Sequence, residues 1–193
     1  GGVTVNGELR IPAVSGTRFP AVVVIHSSGG LQDGVGIRYV EALNQEGIAT
    51  LELDLFPRDG RPATPRSNFP HTYGSLIYLA KHARIDPARI GVMGFSWGGV
   101  LSLISASEEL MRAYTGGAYR FAAHLPVYPV CWPQSAILQG KNRGVNASIY
   151  QAMTGSPVHI LAGALDDFDD DPDTCPKFIQ ALPASVRSTV TAT

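Results

Sequence analysis

Short apolar runs that alternate with helix-like segments constrain this chain more than any other feature. A run without polar alternation suits a strand that is buried on both faces of a sheet. Strands separated by helices favour right-handed crossovers and parallel pairing. The sequence therefore predicts an α/β fold with a mainly parallel central sheet flanked by helices. The predicted strands cover residues 21–25, 48–53, 90–93, 121–127, 157–162 and 186–193.

Length and charge limit the classes of protein that the chain can represent. Its 193 residues suffice for one domain, which is predicted over residues 1–193. The net charge of −1 argues against a nucleic-acid partner held by many phosphate contacts. No apolar stretch approaches the ~18 residues of a membrane span. Within the domain, Asn6-Gly7 predicts a β-hairpin, and the turn-rich residues 129–156 are candidates for a small cap.

The pentapeptide at residues 94–98, Gly-Phe-Ser-Trp-Gly, lies between a predicted strand and a predicted helix. This is the context of a nucleophile elbow, in which a serine occupies a strained strand-to-helix turn. Gly94 and Gly98 would remove side chains that clash with the backbone there. The helix N-terminus favours developing negative charge. The motif therefore predicts Ser96 as a nucleophile, although glycine-rich turns of this kind also serve close packing or phosphate binding.

The loop at residues 26–30, His-Ser-Ser-Gly-Gly, follows the first buried strand. A loop in this place can offer a backbone N–H to an oxyanion, beside the N–H of Trp97. Ser27 or Ser28 is the predicted donor, and His26 is predicted to line the pocket and position the loop. The alternative is a plain glycine-rich turn with His26 packed in the core. The loop lacks the glycine spacing of nucleotide-binding motifs.

An acidic run follows the predicted strand at residues 157–162. Asp166 comes first and is the predicted triad acid, which would orient a histidine and stabilise its charged form. Asp167 is the second choice. A solvated acidic loop is the alternative, since most charge runs are solvated. An EF-hand counted from Asp169 is excluded, because its sixth and twelfth positions are Thr174 and Gln180 rather than Gly and Glu.

These motifs resemble the dienelactone hydrolase branch of the α/β-hydrolase superfamily. The resemblance covers nearly the whole chain, and residues 85–99 are its most specific part. It implies the α/β-hydrolase fold and a Ser or Cys nucleophile, an Asp and a His in that chain order, without a cofactor or a metal. Dienelactone hydrolases themselves have Cys where this chain has Ser96. What the resemblance implies here is hydrolysis of a small-molecule carboxylic ester or lactone by a serine enzyme.

The histidine that this arrangement requires does not follow Asp166. The five histidines are at positions 26, 71, 82, 124 and 159. We expect the protein to continue after Thr193, with the general base in the part of the fold that is missing. Two other functions stay open: a catalytically inactive binding protein of this fold, and an acyltransferase that uses the same site.

Cys131 and Cys175 should lie near the same end of the sheet, because one follows a strand end and the other follows the Asp166 loop. A disulfide between them would imply a periplasmic or secreted protein. The alternative is two buried thiols in a cytoplasmic enzyme. Tyr128 and Trp132 are predicted to line an apolar pocket with Trp97, or else to belong to the ordinary core.

Overall fold

The computed structural model describes residues 4–15, 18–56, 64–142, 145–169 and 171–193. In these residues the strands are β1 (Asn6–Arg10), β2 (Phe19–Ile25), β3 (Ala49–Asp54), β4 (Ile85–Phe95), β5 (Ala123–Val127), β6 (Val158–Ile160) and β7 (Val190–Ala192). The helices are α1 (Ile37–Gln45), α2 (Phe69–Lys81), α3 (Trp97–Ile104), α4 (Glu108–Thr115), α5 (Cys131–Leu138), α6 (Thr174–Ala181) and α7 (Ala184–Arg187). None of these described helices is both long and apolar enough to cross a membrane.

The strands form one sheet in the order β1-β3-β2-β4-β5-β6-β7. Every neighbouring pair is parallel except β1 and β3, which are antiparallel. The mainly parallel α/β architecture predicted from the apolar runs is thereby confirmed. The hairpin predicted at Asn6-Gly7 is wrong, because both residues lie inside β1 and pair with Asp54 and Leu53. The long-range pairing with β3 has overridden the local turn preference.

Helices cover both faces of the sheet, and alternate residues of each strand point to opposite layers. Val24 of β2 packs with Val40 of α1 on one face. Its neighbours Val23 and Ile25 belong to the larger core on the other face. The helices of that second layer contribute buried apolar residues, which include Leu76, Leu79, Leu101, Leu103 and Phe178.

Residues 129–156 contain more regular structure than their turn-rich composition indicates. Helix α5 begins shortly after β5, and a short 3-10 helix follows at Ala147–Tyr150. Ile149 and Tyr150 are buried and belong to the main core. The predicted role of this region as a cap over the site stays a prediction.

Candidate active site

Four loops meet at the edge of the sheet where β2, β4, β5 and β6 end. The N–H of Ser96 donates to the carbonyl of Val127 at 2.9 Å, which joins the end of β4 to the end of β5. The N–H of Tyr128 donates to the carbonyl of Leu161 at 2.7 Å, which joins β5 to the segment after β6. On the other side, the N–H of Gly98 donates to the carbonyl of His26 at 3.2 Å. The motif-bearing loops therefore lie side by side, as expected for the carboxyl edge of a parallel sheet.

Ser96 occupies the turn between β4 and α3 with φ 48° and ψ −103°. This conformation is strained for any residue other than glycine. It is possible here because the neighbouring glycines allow very close packing. A Cβ atom on Gly98 would lie 2.4 Å from the carbonyl oxygen of Ile25, and one on Gly94 would lie 2.3 Å from the backbone of Gly98. The half-buried Ser96 thus lies at the end of β4, between two glycine positions that have no room for a side chain.

His26 connects the loop after β2 to the end of β3. Its Nε2 accepts a hydrogen bond from the N–H of Leu55 at 3.0 Å, and its Nδ1 contacts the carbonyl of Ser27 at 2.7 Å. These partners require a neutral ring with the proton on Nδ1. Burial lowers the pKa of His26 below its ordinary value, which agrees with a neutral ring. His26 therefore holds the loop in place, and both of its nitrogens are occupied.

The loop that follows His26 is a tight turn, closed by a hydrogen bond from the N–H of Gly30 to the carbonyl of Ser27 at 3.2 Å. The hydroxyl of Ser27 donates to the carboxylate of Asp33 and accepts from the N–H of Gly29. Because this hydroxyl is already engaged, any oxyanion donor from Ser27 is its backbone N–H. The predicted oxyanion donors Ser27, Ser28 and Trp97 stay predictions.

Two residues outside the sequence motifs support Trp97. The indole N–H of Trp97 donates to the Oδ1 atom of Asn68 at 3.0 Å, and Asn68 is buried. The ring of Phe56 contacts Trp97 edge-on with centroids 5.7 Å apart, and it also contacts His26 at 4.6 Å. Asn68 and Phe56 lie in segments without a recognisable motif, so only the folded structure reveals their contacts.

Asp166 lies in the loop after β6 and is half-buried, whereas Asp167 is exposed. The Oδ1 atom of Asp166 accepts a hydrogen bond from the N–H of Phe168 at 2.9 Å, which closes a local turn. Burial raises the pKa of the Tyr128 phenol, and Asp33, Tyr39 and Asp166 raise it further. The role of Asp166 as the triad acid stays a prediction.

The predicted disulfide between Cys131 and Cys175 is present. It joins the start of α5 to the start of α6. The carboxylate of Asp169 lies beside it, and the three side chains place one sulfur or oxygen atom each within 4.8 Å of one another. This set does not constitute a thiolate metal site, because the two sulfurs are bonded to each other.

A cavity of about 360 Å³ lies between α3 and α5. Val100 lines it and lies one helical turn after Ser96. Further walls come from Phe69, Ile104, Pro133 and Ile137.

The three residues predicted to line a pocket lie elsewhere at this edge of the sheet. His26 is buried under the loop after β2, Tyr128 packs against Phe95 with ring centroids 6.1 Å apart, and Trp132 is 55% exposed at the start of α5. Their role in substrate binding stays a prediction.

Three of the other four histidines contact residues other than Ser96. His124 is buried, and its Nδ1 contacts the carbonyl of Ser102 at 3.0 Å. His159 contacts the hydroxyls of Thr191 and Thr193, on β7 and directly after it. His71 lines a separate cleft beside β1, and His82 accepts from the N–H of Arg84 at the end of α2.

Comparison with solved structures decides the fold. Est1E from Butyrivibrio proteoclasticus, solved with ferulic acid, matches with a TM-score of 0.71 and 17% identity, over 98% of this chain and 84% of that one. Esterase 2 of Thermogutta terrifontis, phosphorylated by paraoxon, matches with a TM-score of 0.73 and 15% identity, over 99% and 77%. The chain has the α/β-hydrolase fold.

The resemblance to dienelactone hydrolases is confirmed as well. One matching structure, from Klebsiella pneumoniae subsp. pneumoniae MGH 78578, is assigned as a dienelactone hydrolase. It matches with a TM-score of 0.73 and 20% identity, over 100% of this chain and 80% of that one. A Bradyrhizobium protein named "Probable 2-oxo-3-(5-oxofuran-2-ylidene)propanoate lactonase" is 25% identical over 130 residues, or 58% of this chain. The match spans 52%, about half, of that relative's length. No protein-family model matches the chain.

Proposed function

We propose that the protein is a serine hydrolase that cleaves a small-molecule carboxylic ester or lactone. The observation that carries this proposal is the backbone of Ser96, which has a positive φ between two glycines at a strand-to-helix turn. Strain of this kind persists only where the surrounding structure enforces it, and it is typical of functional sites. Resemblance to esterases and to a lactonase supports the same reaction class.

In the proposed reaction, the Ser96 oxygen forms a bond to the carbonyl carbon, and the hydroxyl proton passes to an imidazole base. The carbonyl π electrons move onto oxygen, and the N–H groups of Trp97 and of Ser27 or Ser28 stabilise the resulting oxyanion. The oxyanion collapses, the bond to the leaving oxygen breaks, and that oxygen takes the proton from the imidazolium. Water then attacks the acyl-serine by the same sequence, which releases the acid and restores Ser96.

Asp166 would orient the imidazole and stabilise its charged form. His26 has both nitrogens occupied, and His71 lines the separate cleft beside β1. Because the remaining three histidines contact other residues, we propose that the imidazole comes from a histidine outside residues 1–193. The carboxyl end of β7 supports this source. The N–H of Ala162 donates to the carbonyl of Thr193 at 2.9 Å, so the chain reaches Thr193 beside the segment that leads to Asp166.

The cavity between α3 and α5 would receive the apolar part of the substrate, since it begins one helical turn from the nucleophile. Its volume of about 360 Å³ fits a small acyl or alcohol group rather than a polymer. The disulfide supports an oxidising compartment, such as the periplasm or the cell exterior.

The test compares the natural protein with Ser96→Ala and with Ser188→Ala, an exposed serine as a matched control. The substrates are p-nitrophenyl acetate and the lactone dihydrocoumarin. We expect Ser96→Ala to abolish turnover of both substrates, because the proposed nucleophile is lost. Its free energy of unfolding should stay within ~1 kcal/mol of the parent, because only one half-buried hydroxyl is removed. Ser188→Ala should retain full activity. Turnover that survives Ser96→Ala would contradict the proposal, and a natural protein without turnover would favour the inactive binding protein.

A further inference from the structure

Asp169 is a buried carboxylate that has no part in the reaction proposed above. Only 8% of the residue is exposed. Its Oδ2 atom accepts from the N–H of Cys131 at 2.8 Å, and its Oδ1 atom accepts from the N–H of Trp132 at 3.0 Å. These are the first two residues of α5, 38 and 37 positions away in the sequence. A carboxylate on a helix N-terminus gains from the helix dipole and from charge-assisted hydrogen bonds, so Asp169 holds this helix start firmly.

The backbone that leads into α5 needs such support. Tyr128 has φ 39° and Val130 has φ 54°, and neither residue is a glycine. Each such conformation is unfavourable and persists only where its surroundings impose it. Val130 is β-branched, which makes a positive φ especially unfavourable. Asp169 binds the two N–H groups that come directly after this turn.

Asp169 is also linked to Asp166 within the same loop. The N–H of Asp169 donates to the carbonyl of Asp166 at 3.2 Å, and the N–H of Asp166 donates to the carbonyl of Gly163 at 3.3 Å. On the other side, the carbonyl of Asp169 accepts from the hydroxyl of Thr174 at 2.9 Å. Consecutive turns therefore connect the two aspartates, so the anchor at Asp169 limits the freedom of Asp166.

We propose that Asp169 is a positioning residue that holds the Asp166 carboxylate in place by fastening its loop to the start of α5. This role rests on the hydrolase function proposed above. Asp169 itself touches neither substrate nor nucleophile. Its carboxylate and the disulfide act in parallel on the same two segments, since the Sγ atom of Cys175 lies 3.6 Å from its Oδ2 atom.

The experiment replaces Asp169 by asparagine in the natural protein, with Asp173→Asn as the control. Asp173 is an exposed aspartate of the same acidic run. Asparagine keeps one acceptor but turns an NH₂ group against one of the two helix N–H groups. We expect kcat for p-nitrophenyl acetate to fall at least 10-fold, because a displaced Asp166 would no longer orient the imidazole. Reduction of the disulfide should lower kcat by a larger factor in the variant than in the parent.

A pH profile separates positioning from general structural damage. A misplaced Asp166 would stabilise the imidazolium less, so the acidic limb of kcat/KM should move to lower pH in Asp169→Asn, as it should in Asp166→Asn. A merely structural role would lower activity without moving this limb. If the asparagine variant does not fold, Asp169→Glu is used instead. Glutamate keeps a carboxylate but displaces it by one methylene group, so we expect the same shift of the acidic limb to lower pH.

The outcomes distinguish this proposal from the one it rests on. An active parent with an unshifted limb and unchanged kcat in the Asp169 variant would overturn the positioning role alone. A parent without turnover would overturn the hydrolase function, and the positioning role with it.

Discussion

Gly94 and Gly98 are in direct backbone contact: a Cβ atom on Gly94 would lie 2.3 Å from the carbonyl carbon of Gly98. A side chain added at Gly94 would therefore clash with backbone atoms, which cannot move aside as a flexible side chain could. Gly98 in turn rests against the end of β2, where its missing Cβ would meet the carbonyl oxygen of Ile25 at 2.4 Å. These contacts press the first turn of α3 onto the sheet and fix the conformation of Ser96 between them.

Gly94→Ala and Gly98→Ala should therefore each lower the free energy of unfolding by several kcal/mol, at or above the usual ~1–3 kcal/mol of overpacking. Gly74→Ala is the matched control. Gly74 lies exposed in α2, where an added methyl group would have nothing within 4 Å, so alanine should stabilise the helix by roughly 0.5–1 kcal/mol. Urea unfolding measures the free energy of unfolding of all three variants. Equal values for the three would contradict the packing described for the Ser96 turn.

Stability should fall as the pH drops below neutrality, because His124 is buried as a neutral ring. Burial lowers its pKa to about 4, and its Nε2 atom has no partner within the described residues. Below pH ~6.5 the unfolded chain binds a proton at this histidine, whereas the folded protein does not. The stabilisation that this difference provides is therefore fully present above pH ~6.5 and is lost progressively toward pH 4. Between pH 7.5 and 5 it amounts to roughly 2 kcal/mol.

His124→Asn provides the comparison, because its amide can still donate to the carbonyl of Ser102 but does not titrate. The free energy of unfolding, measured with urea at pH 7.5 and 5, should depend less on pH in the variant by that amount. Identical pH dependence in the two proteins would refute the assignment. Burial also lowers the pKa of His26. Its contribution cancels in this comparison, because His26 is present in both proteins.

Asn68→Leu removes the acceptor that the Trp97 indole uses, and we expect two effects. Stability should fall by about 1–3 kcal/mol, the usual cost of losing a buried hydrogen-bond partner. Turnover of p-nitrophenyl acetate should fall as well, because Trp97 directly follows Ser96, the proposed nucleophile. Asn68→Asp keeps an acceptor and should retain more activity than the leucine variant. If leucine and aspartate variants turn over equally, the indole contact has no part in positioning Trp97.

Removal of the disulfide by Cys131→Ala with Cys175→Ala should destabilise the protein by about 4 kcal/mol, which the chain-entropy model gives for a sequence separation of 44 residues. Urea unfolding of the double variant against the oxidised parent measures the change. A loss below ~1 kcal/mol would show that other contacts, such as those of Asp169, already hold the two segments together.

The parts of the fold that the sequence predicted are those with local signals. Apolar runs marked the strands, and the glycines around Ser96 marked the turn, because their spacing is dictated by backbone sterics. The loop at His26 and the disulfide followed from the rule that parallel strands end at one edge. In each case the evidence lay within a few residues or in one topological rule.

The parts that the sequence did not predict depend on long-range contacts. Asn6-Gly7 has a strong local turn preference, yet pairing with β3 makes it part of a strand. Asp169 is one aspartate among six in its run, and only its distant partners at the start of α5 distinguish it. Asn68 likewise has no motif, and its role follows from an indole 29 residues away.

The central claim is that Ser96 is an activated nucleophile, and covalent labelling tests it most directly. The natural protein is treated with a fluorophosphonate, its intact mass is measured, and the modified peptide is mapped. We expect one adduct, carried by Ser96, and none in Ser96→Ala, because only a serine paired with a base attacks phosphorus readily. An unlabelled protein, or an adduct on another residue, would contradict the account.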